Sequence, residues 1–435
     1  MKFYFALALC AAVVPAMYGQ GTPDSSMSPT VGPSLPTIDG VFHYSLSASE
    51  MLQNGYRSQG ATFTTSLSGN AAYNSRSTVR PFSMLYAGGL LMGNQYRQSV
   101  RTFQNFAVSQ GLVAGAWIFG ISDSVSYLPQ SPTTGLSGIP GVGDIGAQPI
   151  QGPSVGPAGG ALFNNSTNIS NSLSGSVERR LTPLTSASGG GSWTVLRFPD
   201  NDGLDNNRIG GQAGLNHRLD VRDTISANAS YSKFTYGSNI GLTVQTRGVN
   251  GAFQRVLSRT MSMSASAGPM WISSSNSTQI PSRVTVAANL ALTYSREFTS
   301  AGLTYSRGVN GGSGIQPGAL SDNLGAMIGR TYGRDWMTSL SVNYTRTSGL
   351  LKSPVGIPPV GGAGFLFAGG SSQTVYGGLQ VSRRLSDSLS AFAGYNLQHQ
   401  SVDSSLATQN AFSGLSQTIS VGISFSPRAT RLGQF

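Results

Sequence analysis

The chain has 435 residues, a formal net charge of +11, 10% charged residues and 57 glycines. Charge this sparse, against ~25% in ordinary soluble proteins, excludes an ordinary cytosolic enzyme. Aromatic and β-branched residues spread throughout exclude a disordered chain.

The first 20 residues read as a secretory signal peptide. Lys2 gives the positive end, Phe3 to Val14 the apolar core, and cleavage is expected between Ala16 and Gln20. The apolar run falls short of the ~20 residues an anchor helix needs. Cys10 is the single cysteine and lies in this leader. The mature chain is therefore expected to lack disulfides, thiolate metal sites and a Cys nucleophile. Residues 21–39, rich in Pro, Ser and Thr, read as a periplasmic linker.

From Gly40 onward one pattern runs to the end: alternation with period two. "RVTVAANLALTYS" sets Val284, Val286, Leu290, Leu292 and Tyr294 on one face and Asn289, Thr293 and Ser295 on the other. "QTISVGISF" does the same with Ile419, Val421, Ile423 and Phe425. The strands run about 10 to 15 residues, twice the usual ~5–6, which matches a tilted strand crossing a bilayer. Residues 40–127 are less cleanly punctuated. A Gly/Pro-rich link over 128–161 follows the fifth strand.

Beyond it, arginines recur beside short turns: Arg179, Arg218, Arg255, Arg296, Arg330 and Arg383. Each interval holds two long strands. A propeller blade has a similar period, ~40–45 residues, but fits four short strands into it. Short turns near 181–185, 219–223, 257–259, 298–300, 333–335 and 385–387 alternate with longer links near 200–206, 274–281, 310–319, 349–370 and 402–410. That alternation predicts an all-β, antiparallel up-and-down transmembrane barrel of about 18 strands, with 16 the alternative count. The barrel spans 40–426, short turns face the periplasm, and 427–435 form a C-terminal periplasmic tail.

The leader, the double-length strands and the closing "SQTISVGISF" resemble a Gram-negative outer-membrane β-barrel protein. The closing stretch is similar to the assembly signal of that class, with Ile419, Gly422, Ile423 and Phe425 in its positions; here "SPRATRLGQF" continues beyond the aromatic. "SDSVSYLPQSPTTGL" resembles uncharacterised members of that class. The resemblance implies outer-membrane location. It implies lipids and the barrel assembly machinery as partners, with a homo-oligomer allowed. It also implies a porin-like diffusion channel for small hydrophilic solutes, anions among them. The alternatives are a surface-display barrel that conducts little and a polysaccharide export pore. No enzyme, cofactor, metal or nucleic-acid role is expected.

The candidate functional residues are arginines at turns and strand ends: Arg179, Arg180, Arg218, Arg222, Arg255, Arg259, Arg330, Arg334, Arg383 and Arg384, with Arg76, Arg80 and Arg296 alongside. One reading anchors them to lipid phosphates at the interface. The other makes them a positive ring at the pore mouth. The 128–161 link resembles, in position, the constriction loop of trimeric porins. The other reading makes it a mobile outside loop. Within it Gly141, Gly143 and Gly146 match G-x-G-x-x-G without the strand, helix and acid a dinucleotide site needs. His217 lies near Asp220 and Asp223, but no G-x-S-x-G elbow accompanies it. Trp117, Trp193, Trp271, Trp336 and Tyr127 read as interfacial girdles.

Overall fold

The computed structural model describes residues 40–55, 61–93, 100–130, 166–199, 203–237, 241–314, 316–352, 355–356, 366–367, 369–403, 412–428 and 430–432. The expected leader, the linker and residues 131–165, Gly141, Gly143 and Gly146 included, lie outside them.

Five strands occupy the first segment: β1 (Gly40–Asn54), β2 (Thr62–Ser75), β3 (Phe82–Gly93), β4 (Val100–Ala114) and β5 (Trp117–Gln130). Then come β6 (Ser166–Arg180), β7 (Thr185–Arg197), β8 (Asn206–Arg218), β9 (Asp223–Tyr236) and β10 (Thr243–Ser258). β11 (Met261–Ser274), β12 (Arg283–Arg296), β13 (Thr299–Asn310), β14 (Ala319–Tyr332) and β15 (Trp336–Gly349) follow. β16 (Val355–Gly356) and β17 (Leu366–Phe367) pair only with each other. β18 (Ser371–Arg384), β19 (Leu389–Val402) and β20 (Gly414–Phe425) complete the wall, and β21 (Thr430–Leu432) is a short final strand.

Each wall strand pairs antiparallel with its chain neighbours, and β20 returns to β1 through Leu46↔Phe425 to Asn54↔Gln417. The result is a closed barrel of 18 long strands, and the alternative count of 16 is set aside. Followed around the ring, the registers accumulate a shear of about 22 residues, which at standard strand spacings gives a tilt of about 41° and a radius of about 18 Å. A 14-residue strand so tilted rises about 36 Å, enough to span a ~30 Å hydrocarbon layer.

The expected turns close one end of the barrel, and three share one design. In "RLTPLT", "RLDVRD" and "RLSDSL" the leucine N–H and the next N–H both donate to one carbonyl: Thr185, Asp223 or Leu389. The residue after leucine then accepts from the turn. Thr182 Oγ1 accepts from the N–H of Leu184 and Thr185, and Ser386 Oγ from those of Ser388 and Leu389. Asp220 does the same for Arg222 and Asp223 through its carboxylate. The arginine before leucine closes the corner: Arg218 donates to the carbonyls of Asp220 and Val221, and Arg384 to that of Ser386 and to the Asp387 carboxylate. The two-residue turn at Gly115 needs φ of 61°, which glycine adopts without strain.

Backbone donation from Arg222 and Asp223 holds the Asp220 pKa below the ordinary carboxylate range. A folded-state pKa that is depressed stabilises the turn above the unfolded-state value and loses that contribution as pH falls through the folded one. The protection of the Arg222 and Asp223 amides, measured against their intrinsic exchange rates, should therefore fall as pH drops below about 4. In Asp220→Asn the same amides should show no such acid step.

One boundary differs from expectation, and the tail carries a strand. β5 runs on to Gln130 because Leu128, Pro129 and Gln130 pair with Asn168, Thr167 and Ser166. Residues 128–130 therefore belong to the strand rather than to the expected 128–161 link. The expected C-terminal periplasmic tail contains β21, whose Thr430–Leu432 pairs with Gly40–Phe42. β1 extends below Phe425 at the seam, and an unpaired edge there would leave backbone N–H and C=O groups open. The returning chain covers its Gly40–Phe42 part. Arg428 and Asp387 form an ion pair beside this return, and the hydrogen bond from Arg428, with its charge, lowers the Asp387 pKa.

Candidate functional site

The register assigns each strand residue to one of two faces. On β20 the outward set Ile419, Val421 and Ile423 is 52–55% exposed, while the inward Ser416, Thr418 and Ser420 are buried. Neighbouring strands repeat the inversion. Leu46, Phe63, Leu67, Ile209, Val249, Val286, Leu340 and Leu379 all stand exposed on the outside. An outer wall this apolar has hydrocarbon as its solvent. The chain is a transmembrane β-barrel.

Both edges of its belt carry aromatics. At the turn end Arg179, Arg330 and Arg383 lie over the rings of Trp117, Tyr332 and Trp336 at 5.0, 5.1 and 5.2 Å. These are outward pairs, cations stacked on girdle aromatics. Trp193 and Trp271 also face out, toward the loop end, each 45% exposed. Two carboxylates interrupt the belt: Asp123 faces out and accepts from Asn171 Nδ2 at 2.9 Å, and Glu50 faces out and accepts from Thr65 Oγ1 at 2.7 Å.

The candidate arginines divide by parity. Arg179, Arg255, Arg296, Arg330 and Arg383 face out, and Arg255 pairs with Asp223 at 3.5 Å. Arg180, Arg218 and Arg384 face the lumen at the turn end. Arg76, Arg80, Arg222, Arg259 and Arg334 sit in turns. The ten named candidates thus do not form one constellation. His217 faces out, its Nδ1 2.9 Å from Thr185 Oγ1. His43 and His399 lie on strands far around the barrel from it.

Across mid-height the inner wall is uncharged and mostly polar. Ser122, Ser126, Ser170 and Ser174 meet across β5 and β6 as hydroxyl pairs. Asn289 donates to Ser266, and Asn323 to Ser306. Among the described strand residues Glu178 is the single inward acid, and it sits at the turn end. Toward the loop end three further arginines face in, Arg101, Arg208 and Arg283. Arg208 lies over Phe234 at 5.5 Å and donates to Ser232 Oγ at 3.2 Å. These three were not among the sequence candidates. Parity would have found them: Arg208 shares its face with Gln212 and Asn216, one turn-free stretch away.

Loops on one side of the loop end fold onto the inner wall. Leu204, Leu242, Ile280, Leu350 and Leu351 pack with Phe234, Tyr236, Val244 and Ile272, all buried. Backbone bonds tie these loops together: Leu204 N–H to Gly314 at 2.6 Å, Lys352 N–H to Gln279 at 2.9 Å, and Leu350 N–H to Gly318 at 3.2 Å. A second cluster, Met51, Leu91 and Phe103, lines the wall across β1, β3 and β4.

No family model and no curated protein matches the chain. Among solved structures it is similar to Pseudomonas aeruginosa OccK2 (OpdF) in complex with glucuronate. Identity is 10% and the TM-score 0.42, over 89% of this chain and 98% of that one. It is similar to the FrpB iron transporter of Neisseria meningitidis (F3-3 variant) at 9% identity and TM-score 0.42, over 83% of this chain. It spans 62% of that transporter. The ferric-catecholate import receptor Fiu of E. coli K12 gives 10% and 0.43, over 90% and 82%.

Proposed function

We propose that the barrel is an outer-membrane channel for passive diffusion of small hydrophilic solutes, with a modest preference for anions over cations. The supporting observation is the inner wall itself. A hydroxyl- and amide-lined waist lies between arginines at both mouths, Arg101, Arg208 and Arg283 above and Arg180, Arg218 and Arg384 below. Hydroxyls and amides exchange hydrogen bonds with water and sugars without trapping either, so an uncharged solute can pass the waist. Net positive mouths raise the local anion concentration within about a Debye length, ~8 Å at physiological salt. An 18-strand wall of this radius leaves an aqueous bore.

Reconstituted barrels in a salt gradient should give a reversal potential of anion-selective sign. The double variant Arg208→Gln/Arg283→Gln should move it toward zero. A cation-selective sign would remove the anion preference, and absence of conductance would remove the channel.

The apolar loop cluster supports a second reading, a barrel capped for surface display. Swelling of proteoliposomes in sugars of graded size separates the two: uptake of small sugars supports the channel, and none at any size supports display.

A further inference from the structure

Several outward cations have built-in partners: Arg179, Arg330 and Arg383 rest on rings, Arg255 meets Asp223, and Arg307 meets Asp322 at 3.0 Å. The side chains of Lys233 on β9 and Arg247 on β10 form no hydrogen bond, ion pair or ring contact with the described residues. Both face out near the loop end, on adjacent strands. In one row Arg247 stands opposite Tyr231 on β9 and opposite Trp271 on β11. In the next row toward the loops, Gln245 stands opposite Lys233 and Ser273. The two aromatics are 38% and 45% exposed, and below them the wall continues apolar through Val249 and Ala229. The patch is therefore cationic and hydrogen-bonding above, aromatic at the boundary, and apolar beneath.

A bare cation beside hydrocarbon is costly unless an anion meets it at the interface. The matching ligand carries its negative charge at this height and an apolar body running down the wall. A soluble anion lacks the second part. We propose that Lys233 and Arg247 hold a phosphate of a phosphorylated glycolipid in the leaflet at the loop end. Tyr231 and Trp271 flank its head, and Gln245 and Ser273 reach its sugar hydroxyls. The two cations lie within one ladder pair of each other, close enough to share a single phosphate, and arginine suits its oxygens bidentately. This proposal rests on the outer-membrane placement above, and not on whether the lumen conducts.

Titration of the purified full-length barrel in detergent, read by native mass spectrometry, tests it. The probes are lipid A (a bis-phosphorylated acylated disaccharide), its dephosphorylated form, and inorganic phosphate. Lys233→Gln/Arg247→Gln should bind lipid A about 30-fold more weakly, the sum of two interfacial cations at their usual worth. Dephosphorylated lipid should bind the unaltered barrel about as weakly as lipid A binds the variant. Arg247→Lys should keep most of the affinity. Circular dichroism confirms that each variant is folded. Unchanged affinity in the double variant would overturn the proposal, as would equal binding of the dephosphorylated lipid. Inorganic phosphate binding as tightly as lipid A would overturn the lipid source. A dimer present in the unaltered barrel and lost in the double variant would reassign the patch to a second copy. Conductance of the same preparation, if absent, counts against the channel and leaves the lipid result standing.

Discussion

Gly422→Val should leave the barrel unable to close. Gly422 faces inward on β20, opposite Ser49 across the seam with β1. A Cβ at this position would stand 2.5 Å from the Ala48 carbonyl oxygen and 2.5 Å from the Phe392 ring. The ring belongs to a buried side chain that lies over the glycine. The carbonyl belongs to the backbone, so it moves only if the β1–β20 ladder moves. Overpacking of this kind costs about 1–3 kcal/mol where side chains can yield, and more where the obstacle is main chain. The seam is also where closure removes the two free edges of the sheet. The expected result is loss of most of the SDS-resistant compact band on cold SDS gels after refolding into detergent. Gly377→Ala serves as the control. Its Cβ would meet nothing within 4 Å on β18, so its folded fraction should match that of the unaltered protein.

The second large effect is expected at the loop end. Ile280 and Leu350 are 1% and 4% exposed in the cluster that gathers loops from β7–β8, β11–β12 and β15 onwards. Truncating either to alanine deletes buried methyl and methylene groups and leaves a cavity, at about 2–5 kcal/mol each. The wall strands do not depend on these contacts, because their ladder continues from turn to turn without them. Ile280→Ala/Leu350→Ala should therefore leave strand content by circular dichroism intact. It should speed proteolysis of the loops at 275–282 and 350–352 and raise single-channel conductance. A double variant with unchanged conductance and unchanged protease sensitivity would show that the cluster does not restrict the mouth.

The architecture was legible because a membrane barrel writes itself in a local code. Period-two alternation over 12 to 14 residues survives without knowledge of the partner strand, so β12 and β20 could be read directly. The turn motif was legible for the same reason, since "RLTPLT", "RLDVRD" and "RLSDSL" each close within six residues. What could not be read was the role of the arginines inside it. Arg383 and Arg384 are adjacent, so they point to opposite faces. One lies over Trp336, 47 residues away in the chain, and the other clamps its own turn. The pairing inside the tail was not legible for a related reason. Thr430–Leu432 becomes a strand only because Gly40–Phe42, at the far end of the barrel sequence, needs a partner.

The amino-acid sequence by itself determined that the chain makes long amphipathic strands, where they reverse, and which parity is apolar. Those properties depend on each residue and its near neighbours. Only the tertiary structure decided that 18 strands close at a seam with a shear of about 22 residues. It alone placed Lys233, Arg247, Tyr231 and Trp271 in one patch. It alone gathered Leu204, Ile280 and Leu350 over the lumen. Those groupings depend on register between strands and on loop packing. They join residues tens to hundreds of positions apart, and no local pattern in the chain encodes such a distance.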